Sequence, residues 1–180
     1  MRKKVAFDYY VLLFFLLSGL GWLWEVCLYL VRDGQFVNRG ILFGPWLPVY
    51  GTGSLFLYFL LRKCHRWNRK ILPVFLVSMT VCSVLEYGTG YLLLKMWGVR
   101  WWDYSEMFLN LDGHICLASC LMFGVGGVLL MFVLAPVYTA LYHKVPVKVR
   151  TIVSLLLLVL FIVDAAYSAE VPHVGRGITY

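Results

Sequence analysis

Five long apolar runs, separated by short polar or basic stretches, organise the chain: residues 9–31, 45–61, 71–94, 114–142 and 151–168. Each holds about 17 residues or more, the length at which a helix rising 1.5 Å per residue crosses a hydrocarbon core of about 30 Å. The pattern predicts an all-α fold, a polytopic bundle of five transmembrane helices in a single transmembrane domain over residues 1–180. The first run follows Arg2, Lys3 and Lys4, as the core of a signal peptide would. It is too long for one, carries Glu25 and two tryptophans, and meets no small-residue cleavage site, so it reads as a retained helix.

Composition agrees with this class. Hydrophobic residues make up 62% of the chain and charged residues 14%, against about 25% charged in a soluble domain. The net charge of +7 would suggest nucleic acid in a soluble protein, but its distribution is topological. Arg2, Lys3, Lys4, Arg62, Lys63, Arg66, Arg69, Lys70, Lys144, Lys148 and Arg150 occupy alternate loops. Basic residues mark the cytoplasmic side, which predicts N-terminus in, C-terminus out, contact with membrane lipid and no nucleic-acid partner. Of the nine acids, only Asp8 falls near the cytoplasmic side.

The long polar segments, 32–45, 95–114 and 170–180, then lie outside, and any site should open outward. No GxxxxGK[ST] loop occurs, and the cytoplasmic segments 62–70 and 143–150 are too short for a nucleotide-binding fold. Energy from ATP would have to come from a separate ATPase subunit. Cys27, Cys64, Cys82, Cys116 and Cys120 are scattered, and the Cys116/Cys120 pair lacks the further ligands a metal needs. Structural thiols are expected, with no metal and no cofactor.

Three acids interrupt the apolar runs at similar depth: Glu25, Glu86 and Asp164. Each costs about 2.5–3.5 kcal/mol on insertion scales if left without a partner, so it should face protein or a wet cavity. Helical spacing puts Ser18, Gly21, Trp22 and Glu25 on one stripe, Cys82, Ser83, Glu86 and Gly90 on another, and Asp164 with Tyr167 and Ser168 on a third. Small residues beside a carboxylate permit close helix approach. Two readings stay open: structural acids, each pinned to an arginine of the outer loops, or a shared polar cavity in which Glu25 and Glu86 approach one another or share Arg39.

The segment NRGILFGPWLPVYGTG (38–53) combines Pro45 and Pro48 with four glycines, which is what a re-entrant loop or a broken helix looks like. An interfacial loop with Pro48 near the first turn of span two is the alternative. RWWDYS (100–105) offers interfacial aromatics, with Asp103 and Ser105 placed to cap a short helix over EMFLNL. A faint repeat places a Gly-containing polar turn ending in Ile after each acid, at 38–41, 112–115 and 175–178.

These motifs together, Glu25, NRGILFGPWLPVYG, Glu86, RWWDYS, LDGHICL and the Pro-x-x-Gly-x-Gly-Ile of 172–178, resemble the putative ABC-transporter type IV permease family, the CmpB-like bacterial membrane proteins. His173 departs from the asparagine expected there. The resemblance implies a permease-like, multi-pass protein of the bacterial plasma membrane. A transporter subunit would use the acids to line an outward-facing polar cavity. Two alternatives remain: an intramembrane lipid-handling protein or enzyme acting on an anionic headgroup, and an accessory subunit. Candidate substrate- or ion-binding residues are Glu25, Asn38, Arg39, Glu86, Arg100, Asp103, Asp112, His114, Asp164 and Arg176, with no catalytic residue assigned. Five spans are thin walls for a pore, which would fit a homodimer; Gly124, Gly126 and Gly127 offer one candidate face.

Overall fold

The computed structural model describes residues 6–38, 40–63, 70–98 and 100–171. Its regular structure is helical, with no strand among the described residues beyond a lone bridge between Leu111 and Ile115. The elements are α1 (Phe7–Asp33), α2 (Pro48–Lys63), α3 (Ile71–Trp97), α4 (Leu117–Leu129), a π-helical segment (Leu130–Leu134), α5 (Ala135–Lys144) and α6 (Val147–Glu170). Four stretches are long and apolar enough to cross a membrane: α1, most of α3, the continuous Leu117–Lys144, and α6. The second apolar run yields only α2, 16 residues or about 24 Å. That is shorter than the hydrocarbon core.

The described residues group into two compact units, one drawing on those up to Leu55 and on 137–171, the other on Phe56–Pro136. In the first unit α1 packs against α6. Gly34, at φ 67°, ends α1 with its N–H on the Leu30 carbonyl, a left-handed cap that glycine adopts without a Cβ penalty. The irregular segment that follows does not stay at the helix end. Leu47 donates its N–H to the Ser18 carbonyl at 3.1 Å, fifteen residues short of Asp33 and so about 22 Å back along α1.

That approach depends on small residues. A Cβ at Gly21 would overlap the Tyr50 ring, and one at Gly51 would overlap the Ser18 hydroxyl and Phe14. Pro48 then opens α2, where a missing N–H costs nothing. Trp46, Phe15 and Phe161 pack edge to face at centroid distances of 5.7–6.1 Å, filling the space beside the loop.

In the second unit α3 packs on α4. Here the glycine face is already occupied: a Cβ at Gly124 would overlap Phe75, and one at Gly127 would overlap Ser78, while only Gly126 faces open space. The face read from sequence as available to a second copy is therefore used within the chain. The π-helical segment lies just before Pro136. Proline has no N–H for the carbonyl four residues back, a common cause of such irregularity. α3 ends like α1, in a left-handed glycine, Gly98 at φ 69°.

The segment between α3 and α4 is ordered without being helical. The short helix expected over 106–111 does not form; residues 105–109 make turns. Asp103 spends its Oδ1 on the Ser105 N–H (2.9 Å) and hydroxyl, so it closes a local turn. Leu109 and Asp112, at φ 50° and 53°, could not continue a right-handed helix. Asn110 Nδ2 ties the turn to the Ser105 and Met107 carbonyls. Cys116 caps α4 reciprocally with Ser119, giving one thiol a structural role.

Candidate functional site

Asp164 lies on α6, six residues before its end, and is satisfied by the folded-back loop. Its Oδ1 accepts the Phe43 N–H at 2.9 Å; its Oδ2 accepts the Gly44 N–H at 2.9 Å and the Trp46 indole N–H at 2.8 Å. Ser168 adds its hydroxyl at 3.3 Å. Backbone N–H groups at membrane depth need acceptors, and a carboxylate there needs donors. Loop and acid meet each other's requirement.

Asn38 completes this arrangement. It accepts the Trp22 indole N–H at 2.6 Å and donates to the Phe43 carbonyl at 3.0 Å, so the loop is held to α1 on one side and to α6 on the other. Glu25 accepts the hydroxyl of Tyr50, at the start of α2. Arg39, which sequence reasoning offered as a partner, lies outside the described residues, as does Arg176 with the rest of Pro172–Tyr180.

The second unit brings five candidates together. Glu86 accepts the Tyr104 hydroxyl at 3.2 Å, and Tyr104 in turn donates its N–H to the Gly113 carbonyl. Asp112 accepts the Tyr87 hydroxyl at 2.7 Å while its carbonyl takes Arg100 Nη1 at 2.9 Å. Arg100 also stands 3.6 Å from Asp103. The Ser105 donors, with Arg100 behind them, hold the Asp103 carboxyl below the usual carboxylate range. His114 is 3% exposed, against Gly90 and the edge of Tyr87, and its carbonyl accepts the Trp102 indole N–H.

Glu25 and Glu86 fall in different units, and each accepts a tyrosine hydroxyl from its own. Sequence reasoning weighed arginine partners and missed the phenols Tyr50 and Tyr104 and the indole of Trp46. Their signal was present, since an aromatic with a polar tip beside a helix-breaking stretch can serve an acid at depth. It also passed over a cluster at the other end of the first unit. Asp8 accepts the Tyr142 hydroxyl at 2.8 Å and lies 3.8 Å from Arg150 Nε, with 11% and 13% of the two charged side chains exposed. The Arg150 guanidinium stacks 4.0 Å above the Tyr142 ring, and Tyr138 donates to the Tyr9 carbonyl. A lone acid among basic helix ends was the available clue.

Apolar helices of spanning length, carboxylates at depth and irregular backbone tied to them define a multi-pass helical membrane protein. A family model described as "Putative ABC-transporter type IV" matches residues 12–169. The chain belongs to that family, as its motifs implied, and is a transporter-related membrane protein. No curated protein and no solved structure matches it.

Proposed function

We propose that the chain is a permease-like subunit of the bacterial plasma membrane, crossing it five times with the N-terminus inside and the C-terminus outside, and that 34–47 is a re-entrant loop. The observation that carries this reading is the Leu47 N–H on the Ser18 carbonyl. It supports a loop that descends to about mid-bilayer beside α1, which in turn accounts for the shortness of α2: the helix starts partway down and needs only about 24 Å to reach the basic end at Arg62 and Lys63. Irregular backbone at such depth is tolerated where it is buried in protein or lines a polar path, and transporters build their sites from it. The chain is taken as a single transmembrane domain over residues 1–180.

In this reading the acids divide their work. Asp164 holds the loop. Glu25 and Glu86, each on a phenolic hydroxyl of its own unit, are the groups that take up and release a cation or proton, each opening outward within its unit. The short basic segments face an ATPase subunit, and a homodimer would supply further walls. Reconstituted protein tests the assignment: flux in liposomes should fall at least about tenfold in Glu25→Gln and Glu86→Gln, a loss equivalent to about 1.4 kcal/mol, with helicity and elution unchanged. Flux that survives both substitutions refutes it. Chemical change of an added anionic lipid would favour the lipid-handling reading. The closed bonding of Asp103, Asp112 and Asp164 favours an accessory subunit as the second reading, for which neither flux nor product is expected.

A further inference from the structure

The turn at 106–111 presents its apolar residues outward. Met107, Phe108, Leu109 and Leu111 are 47%, 76%, 65% and 53% exposed. In a membrane protein such side chains must be met by lipid or by protein. The turn is also built to stay exposed. Asn110 bonds two carbonyls beneath it, Leu111 pairs with Ile115, and Asp103 locks Ser105. Leu109 is held at φ 50°, an unfavourable conformation for a bulky residue that persists only where the surroundings impose it.

The depth of the turn identifies what it meets. α3 has 27 residues, about 40 Å, some 10 Å longer than a hydrocarbon core. The loop does not sit beyond its end. Tyr104 reaches Glu86, and Asp112 reaches Tyr87, which lie ten or eleven residues before Trp97 and so about 15–16 Å back along the helix. Even if all of that excess lay at this end, these two anchors would stand about 5 Å inside the apolar core, so the turn they flank starts and ends below the level where α3 leaves it. The same unit also exposes apolar side chains at Tyr91 and Leu92 on α3 and at Leu117 and Leu121 on α4. Glu106 and Asn110 flank the turn with polar groups, the composition of a segment lodged at a headgroup boundary.

We infer that Met107, Phe108, Leu109 and Leu111 form a rigid wedge inserted into the lipid leaflet at the Trp97 end of α3. The wedge adds to the interfacial aromatics of RWWDYS, of which Trp102 is tied inward by its bond to the His114 carbonyl while Trp101 is exposed. The wedge holds the second unit's loop at fixed depth. It does not depend on the direction of the topology or on any transported substrate.

The test places the photoreactive analogue benzoylphenylalanine at position 108 of the full-length chain in intact membranes, with position 156 on the exposed apolar face of α6 as a lipid-facing reference and position 106 as a polar one. Irradiation should give lipid adducts at 108 within about twofold of those at 156 and well above those at 106, as for two side chains in the same apolar medium. A discrete adduct between position 108 and another polypeptide overturns the inference in favour of a protein partner. Absence of any adduct at 108 while 156 reacts places the turn in water and overturns it equally. Should the 108 variant fail to fold, the same probe at position 111 reads the same outcomes.

Discussion

Removing the Asp164 carboxylate should release the folded-back loop, and the cost can be worked from its partners. Three strong donors converge on it, at 2.9, 2.9 and 2.8 Å, with Ser168 a weaker fourth. A hydrogen bond to a charged group is worth about 1.5–3 kcal/mol in soluble proteins. Asp164 is only half-buried, and a denatured state that stays in lipid finds substitute partners, so about 1 kcal/mol per bond is the fairer figure. Asp164→Ala should then cost about 3 kcal/mol, and Asp164→Asn, which keeps one carbonyl acceptor, about half as much. Trp46→Phe alone should cost about 1 kcal/mol, yet almost nothing once Asp164 is alanine, because the indole has already lost its acceptor. Unfolding in mixed micelles followed by circular dichroism supplies these differences, and limited proteolysis within 34–47 reports whether the loop has detached. If Asp164→Ala stays within about 0.5 kcal/mol of the parent, or if its cost and that of Trp46→Phe simply add, the carboxylate does not hold the loop.

Two further outcomes follow from packing and charge. Gly127→Ala drives a Cβ into Ser78, a residue with no exposed surface, and should destabilise by about 1–3 kcal/mol; adding Ser78→Gly should recover part of that loss in the same unfolding assay, and a purely additive double variant would contradict the contact. Asp8→Asn and Arg150→Met should each cost up to about 3 kcal/mol by stranding a nearly buried partner. The double variant should cost no more than either single one; a loss equal to their sum would mean that the 3.8 Å pair is not coupled.

The sequence made the helical class legible because an apolar run long enough to cross a bilayer has few other uses. It made the acids legible for the same reason, since any charge in such a run stands out. It did not reveal how each acid is answered. Phe43 and Gly44 serve Asp164 through backbone N–H groups, which every residue except proline carries and no side-chain pattern records. Tyr50 and Tyr104 read as ordinary interfacial aromatics until the chain's path brings them beside Glu25 and Glu86. The glycines at 124 and 127 advertised a close helix contact, correctly. The partner is α3 of the same chain, and spacing alone cannot distinguish that from a second copy. The helix expected over 106–111 failed because Asp103 and Asn110 bond the backbone locally, the competition that makes such residues turn formers as well as caps.

Apart from the faint motif repeat, whose third copy at 175–178 lies outside the described residues, the two units share a plan of their own. In each unit a 27-residue helix ends in a left-handed glycine, at Gly34 and at Gly98. The chain then turns back along that helix instead of crossing to the next one at the same level. In each, a tyrosine reached on the way donates to a glutamate of the long helix, Tyr50 to Glu25 and Tyr104 to Glu86. The units differ in how deep the return goes: about 22 Å at the Leu47–Ser18 bond and about 16 Å at Tyr104–Glu86. They differ also in what meets the exposed backbone, a carboxylate from α6 in the first and a self-contained turn in the second. A carboxylate in lipid is tolerated when it organises backbone that would otherwise lack acceptors. On that argument Glu25 and Glu86, which accept a hydroxyl from the returning chain, help to hold it along the long helices, while Asp164 ties the first unit's loop to α6.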